Sequence, residues 1–189
     1  MNAPIVVYDA CVLFSAQLRD LLMRLALADL CAARWTEEIL DEWARSVIEK
    51  HLAILPASIA RCRVLMNAHL GEAIVTGYEH IVQKFTLPDP DDRHVLAAAI
   101  HCDAKAIVTF NLRDFPESVL QPLGIEAIHP DDFVLRLMQN DISGVCEAIR
   151  IQREQLNKPP VSIDAFLAKL ERQGLPQTAA ILRTLSDQL

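Results

Sequence analysis

A chain of 189 residues that is 52% hydrophobic and 23% charged has enough apolar material for a full core, which excludes an intrinsically disordered polymer. Its net charge of −7 is unusual for a nucleic-acid binder, and an aromatic content of 5% excludes a broad platform for stacking single-stranded bases. Five cysteines (Cys11, Cys31, Cys62, Cys102, Cys146), odd in number and without a Cys-x-x-Cys pair, exclude a disulfide framework or zinc ribbon and suit a reducing, cytoplasmic compartment. They read as small buried hydrophobes.

The opening MNAPIVVYDAC has no basic start and its apolar run stops at Asp9, so no secretory leader is expected. No apolar stretch approaches about 18 residues, so no membrane span is expected either. Ile5 to Tyr8 is a β-branched run suited to a buried parallel strand. Leucines at helical spacing predict a helix over Leu13–Leu30, and Ala32–Trp35 reads as a short strand. Thr36 is a predicted N-cap, with Glu37 and Glu38 favourable in the first turn of a helix that runs to about Lys50. A further helix starts at Pro56 or Ser58; Ile74–Gly77 is a short, weak segment and His80–Phe85 reads as irregular. The prolines of LPDPDD mark a turn ahead of a small-residue helix over Arg93–His101. Ala106–Phe110 is a second clear strand, Asn111–Pro116 a loop, and Ile125–His129 a third strand before a helix that begins at Pro130. Beyond about Asn140 the pattern is helical only. It comprises Ile142–Leu156, a helix capped by Ser162 that runs to Arg172 with Gly174 at C′, and a last helix opened by Pro176.

Strands alternating with helices predict an α/β fold, a mostly parallel central sheet flanked by helices, with a small all-helical C-terminal region. The boundary falls between residues 1–138 and 139–189. In such sheets ligands bind at the carboxyl ends of the strands. Asp9 stands at one such end and Asp114 follows another; Glu42 and Asp92 lie on or at the start of helices. Three or four carboxylates at close range repel one another unless a cation intervenes, so the set points to a site for Mg²⁺ or Mn²⁺. Such ions can activate water and hold charge on a phosphate, which makes a metal-dependent nuclease the leading expectation. The acidity fits this reading. Residues 1–135 hold 11 basic and 19 acidic side chains, whereas residues 136–189 are nearly neutral. A calcium loop is excluded at DPDDRH because His94 stands where glycine is required, and the six histidines form no His-x-x-x-His pair for zinc.

The segments YDACVLFSA, EEILDEWAR and DPDDRHVLAAAIHCDAKAIVTFNLRDFP resemble the PIN-domain family, and within it the VapC-type toxin ribonucleases, over about residues 4–135. The resemblance implies a three-layer PIN-like fold in which Asp9, Glu42, Asp92 and Asp114 form the catalytic and metal-binding set. Thr109 and Asn111 would support the ligands or touch phosphate, and Arg45, Arg93 and Arg113 are candidates for RNA backbone contacts or for ion pairs with neighbouring acids. Asp89 and Asp91 compete with Asp92 for the third position, and Glu38, one turn before Glu42, could share its face. Residues 140–189 resemble the helical C-terminal extension of larger VapC-like toxins. The family further implies an RNA substrate and a cognate antitoxin, with homodimerisation common in such folds. Two alternatives remain: a PIN fold that binds RNA or protein without cutting, and a non-toxin RNA-processing nuclease.

Overall fold

The computed structural model describes residues 3–51, 53–156 and 159–189. Four short parallel strands form one sheet in the order β2-β1-β3-β4, with β1 at Ile5–Tyr8, β2 at Ala32–Arg34, β3 at Ala106–Val108 and β4 at Glu126–Ile128. Val6, Val7 and Tyr8 are all buried. Alternate residues of a strand face opposite ways, so both faces of β1 are covered, as the unbroken apolar run predicts. Tyr8 anchors one face: its hydroxyl donates to the Leu22 carbonyl at 3.1 Å, and its ring meets Trp35 and Phe133.

The predicted Leu13–Leu30 helix is shorter, α2 (Ala16–Leu27), and a separate short helix, α1 (Ala10–Leu13), precedes it. The break falls at Phe14–Ser15, where the Ser15 hydroxyl accepts from the Leu18 N–H and starts a new helix. Asp29 ends α2 with φ of 56°, the left-handed conformation that lets the Leu30 N–H return to the Leu25 carbonyl. α3 (Glu37–Lys50) is capped by Thr36 as predicted, its hydroxyl accepting from the Ile39 N–H at 3.0 Å. α4 spans Pro56–His69. Ile74 contributes only a single bridge to Trp35, and the segment expected to be irregular contains one helical turn, α5 (Glu79–Val82). α6 (Arg93–His101) packs on β1 and β3, with Ala99 in the sheet core, while Ala97 and Ala98 face Val75, Tyr78 and Ile81. A turn at Leu112–Asp114 and α7 (Glu117–Leu120) lead to β4. Strands β3 and β4 are shorter than predicted, although the Thr109 N–H still bonds the Ile128 carbonyl at 3.0 Å.

Three C-terminal helices follow α8 (Pro130–Asn140): α9 (Ile142–Gln155), α10 (Ile163–Arg172) and α11 (Pro176–Thr184). α9 packs on α2 and α8, and α11 on α8 and α10. One continuous hydrophobic cluster runs from Val6 in the sheet to Leu182 and Leu189. Gly174 occupies C′ with φ of 87°, and the Leu175 N–H bonds the Leu170 carbonyl, which closes α10 as predicted. Among the described residues no helix is long and apolar enough to cross a membrane.

α11 has no side-chain cap of its own; Asp131, on the first turn of α8, supplies it. The Asp131 carboxylate accepts from the backbone N–H groups of Gln177 and Thr178, both at 2.9 Å, and from the Thr178 hydroxyl at 2.6 Å. Asp131 and Thr178 are both buried. Asp131→Ala strands these donors away from water and is expected to cost about 3 kcal/mol. Thermal unfolding should then drop by roughly 6–12 °C. A change below 2 °C would show that α11 docks without this clamp.

Candidate active site

β1 and β3 are neighbours in the middle of the sheet, so Asp9 and Thr109 leave it side by side at its carboxyl edge. The Thr109 hydroxyl donates to Asp9 Oδ2 at 2.6 Å and accepts from the Asn111 N–H at 2.9 Å. Cys11 Sγ donates to the same Asp9 oxygen at 3.0 Å and accepts from the Phe110 N–H at 3.2 Å. These bonds tie the turn after β1 to the loop after β3. The next turn is held by the Asp114 N–H, which donates to the Asn111 carbonyl at 3.0 Å.

Asp9 is only 1% exposed. Burial lifts its pKa above the ordinary carboxylate value; the bonds from Thr109 and Cys11 pull it down, and the charge of Glu42 pushes it up. Asp92, 8% exposed, is pushed up to about 7 by burial and then by the charges of Asp9, Asp89, Asp114 and Glu42. The four predicted acids therefore share one electrostatic neighbourhood. Of the three acids competing at the third position only Asp92 is buried. Asp89 caps the turn that precedes α6, accepting from the Asp91 N–H at 2.9 Å, and both Asp89 and Asp91 also line the cleft beside Asp92. Asp91 is exposed.

A cleft of about 520 Å³ opens beside these acids, lined among others by Glu38, Glu42, Asp92, His94, Asn111, Arg45 and Arg93. Arg93 is fixed at its rim, donating to the Pro90 carbonyl at 2.8 Å and to Gln83 at 3.3 Å. Arg113 is exposed on the turn after β3 and does not line this cleft.

Three site residues carry no clear signal in the sequence. Cys11 is not the inert buried hydrophobe expected of it but a donor to Asp9, and burial with that neighbouring charge pushes its thiol pKa up. His94 is buried on α6, with Nδ1 at 3.8 Å from Glu38 and Nε2 at 3.7 Å from Glu42. Its Nδ1 makes no hydrogen bond. Tyr78 donates to Glu38 at 3.1 Å and so holds the other side of that carboxylate. A histidine directly before the buried run Val95–Ala99 was the available clue for His94; nothing local distinguishes Tyr78.

Hard carboxylate oxygens suit Mg²⁺ or Mn²⁺. Among the described residues no Lys or Arg forms an ion pair with Asp9, Glu42, Asp92 or Asp114, so their mutual repulsion is not relieved by a direct contact with a basic side chain. Among the same residues no three His, Cys, Asp or Glu side chains are preassembled to hold a metal ion. The donor set thus fits a divalent cation in kind and charge, and the carboxylates would have to draw together around one.

Two families match. The PIN domain matches residues 5–113, more than half of the chain, and the VapC50 C-terminal domain matches residues 130–184. Asp114 falls just beyond the first matched segment. Among curated proteins, the one named "Putative ribonuclease VapC50" of Mycobacterium tuberculosis (strain ATCC 25618 / H37Rv) is 40% identical over 94 residues. That segment is 50% of this chain and 55% of the relative, so the chain aligns with about half the relative's length. No solved structure matches. The chain belongs to the PIN-domain family.

Proposed function

We propose that the protein is a Mg²⁺- or Mn²⁺-dependent endoribonuclease and the toxin of a toxin–antitoxin pair. The observation that carries the catalytic reading is that Asp9, Glu42, Asp92 and Asp114 lie close enough for the charges of Asp9, Asp114 and Glu42 to raise the pKa of Asp92, while none of the four forms an ion pair with Lys or Arg among the described residues. A cation held by these four would supply Lewis-acid activation of water and charge neutralisation at the scissile phosphate. Thr109 fixes the Asp9 carboxylate in place, and the Asn111 side chain, exposed on the next turn, is set to meet a phosphate oxygen. Arg45 and Arg93, at the cleft rim, are suited to backbone phosphates, which position a strand without reading its sequence. The test is cleavage of RNA with and without Mg²⁺ or Mn²⁺. Metal-dependent loss of full-length RNA is expected, and persistence of every RNA offered would remove the nuclease reading. The toxin assignment rests on the family and on the named relative, so its test is separate. Expression should arrest growth, and a small protein encoded beside the gene should relieve the arrest. Harmless overexpression of a chain that cuts RNA would point to a processing nuclease.

His94 lines the cleft with its two ring nitrogens 3.8 Å from Glu38 and 3.7 Å from Glu42, placed to orient them electrostatically. We expect His94→Ala to lower kcat by about 10- to 100-fold, the usual effect of removing a group that orients a ligand, with KM changed much less. An unchanged kcat would make His94 a packing residue.

One observation favours a second reading, a PIN fold that binds without cutting: the acids are not preassembled around a common point. Calorimetric titration with Mn²⁺ separates the two, since a pocket that never closes on a cation gives no binding heat.

A further inference from the structure

Glu42, which lines the acidic cleft, also lines a second concavity of about 310 Å³. Its walls include Phe14, Phe110 and Ala10, and its rim holds Ser46 and Lys50. We propose that this concavity is a nucleoside subsite, which takes the base and ribose of the RNA nucleotide next to the phosphate held at the carboxylates. The proposal rests on the ribonuclease reading above.

Three observations point to this occupant. The chain has ten aromatic side chains, seven of them buried; Phe14, Phe85 and Phe110 are partly exposed. Two of those three face this one small space. A protein too poor in aromatics for a stacking platform thus places those it can present beside its reactive acids, and every base has a face that stacks on an aromatic ring.

The second observation is charge. Lys50 makes no ion pair among the described residues, and its Nζ lies 5.0 Å from the centre of the Phe14 ring. His51 stacks on the same ring with centroids 5.4 Å apart. Both are exposed side chains that can yield the ring to a base. The Lys50 ammonium is then free to meet the flanking phosphate, opposite in sign to Glu42 across the space.

The third is rigidity. Phe110 is backed by the C-terminal helices. A Cβ added to Gly174 would lie 2.8 Å from the Phe110 ring, and His129 meets that ring edge-on with centroids 5.2 Å apart. A wall held on two sides is preordered for a ligand, and the base must be unpaired to enter.

The experiment uses the full chain carrying Asp9→Asn and an RNA hexamer with 2-aminopurine, whose fluorescence is quenched on stacking. Quenching is expected, with affinity about tenfold weaker when Phe14→Leu or Lys50→Gln is added. In the chain with Asp9 restored, each substitution should raise KM for RNA about tenfold and hold kcat within about threefold. Unquenched fluorescence, or unchanged affinity and KM in both variants, overturns the subsite. If Phe14→Leu fails to fold, Lys50→Gln alone decides. Quenching that depends on Phe14 and Lys50 in a protein that cuts no RNA would uphold the subsite and refute the ribonuclease reading.

Discussion

Asp9→Asn is expected to reduce RNA cleavage by about 10³-fold or more, equivalent to roughly 4 kcal/mol of lost transition-state stabilisation. The amide is the same size as the carboxylate, and its carbonyl can still accept from Thr109 and Cys11, whose bonds to Asp9 measure 2.6 and 3.0 Å. What disappears is the charge that would hold a cation. Removing that charge should not weaken the fold. Burial raises the pKa of Asp9, so its ionised form opposes folding, and a neutral side chain of equal shape relieves that cost. The variant should therefore unfold at the wild-type temperature or slightly above it while losing activity. This is the usual trade between function and stability at a site. Activity within tenfold of wild type would remove Asp9 from the site. A fall in unfolding temperature that matched the loss of activity would reduce the effect to misfolding.

The second large effect couples metal, protons and stability. Divalent cation at a hundred times its dissociation constant should stabilise the native state by about 2.7 kcal/mol, raising the unfolding temperature by roughly 5–10 °C. The effect should depend on pH through Asp92, whose pKa of about 7 in the fold compares with 3.8 for a free side chain. Below pH 3.8 the group is protonated in both states, and the contribution from its raised pKa is complete. Between 3.8 and 7 the native state keeps a proton that the unfolded chain has released, so this contribution falls as pH rises and is spent above 7. A cation must displace that proton, so metal affinity should climb up to about tenfold per pH unit below 7 and level off above it. Melting curves with and without Mn²⁺ from pH 5 to 8, for wild type and Asp92→Asn, test both signs. Wild type and Asp92→Asn should differ in slope between pH 5 and 7 in the absence of metal. Parallel curves would contradict the burial and repulsion assigned to Asp92.

The parts of this architecture legible in the sequence are those governed by local rules. Ile5–Tyr8 and Ala106–Val108 are apolar runs that only a strand buried on both faces accommodates, and Thr36, Ser162 and Gly174 mark helix ends by their own chemistry. Asp9, Asp92 and Asp114 stand out as candidates because each follows a strand or opens a helix, whereas Glu42, inside α3, is singled out by the family resemblance. The helix start at Ser15 is not legible, since the apolar run continues from Leu13 through Phe14 and sets the expected start two residues too early. The sequence favours Asp92 over Asp89 and Asp91, and of the three only Asp92 is buried. Contacts across the chain left no trace at all: Asp131 caps a helix 47 positions away, and Tyr78 reaches Glu38 across 40.

The strand order has a consequence in time. Asp9 meets Thr109 across 100 residues because β1 takes β3, not the next strand to be made, as its second central neighbour. A growing chain adds about 5–20 residues per second, so roughly 5–20 s separate synthesis of the first acid from that of Asp114. During that interval a ribosome-bound chain can pair β1 with β2 and collapse around α2 and α3, yet it has no complete carboxylate set. Truncated translation products that end before β3 are in the same position. On the proposed ribonuclease reading, the chain is inert towards the message that encodes it until Asp114, at position 114 of 189, has been made.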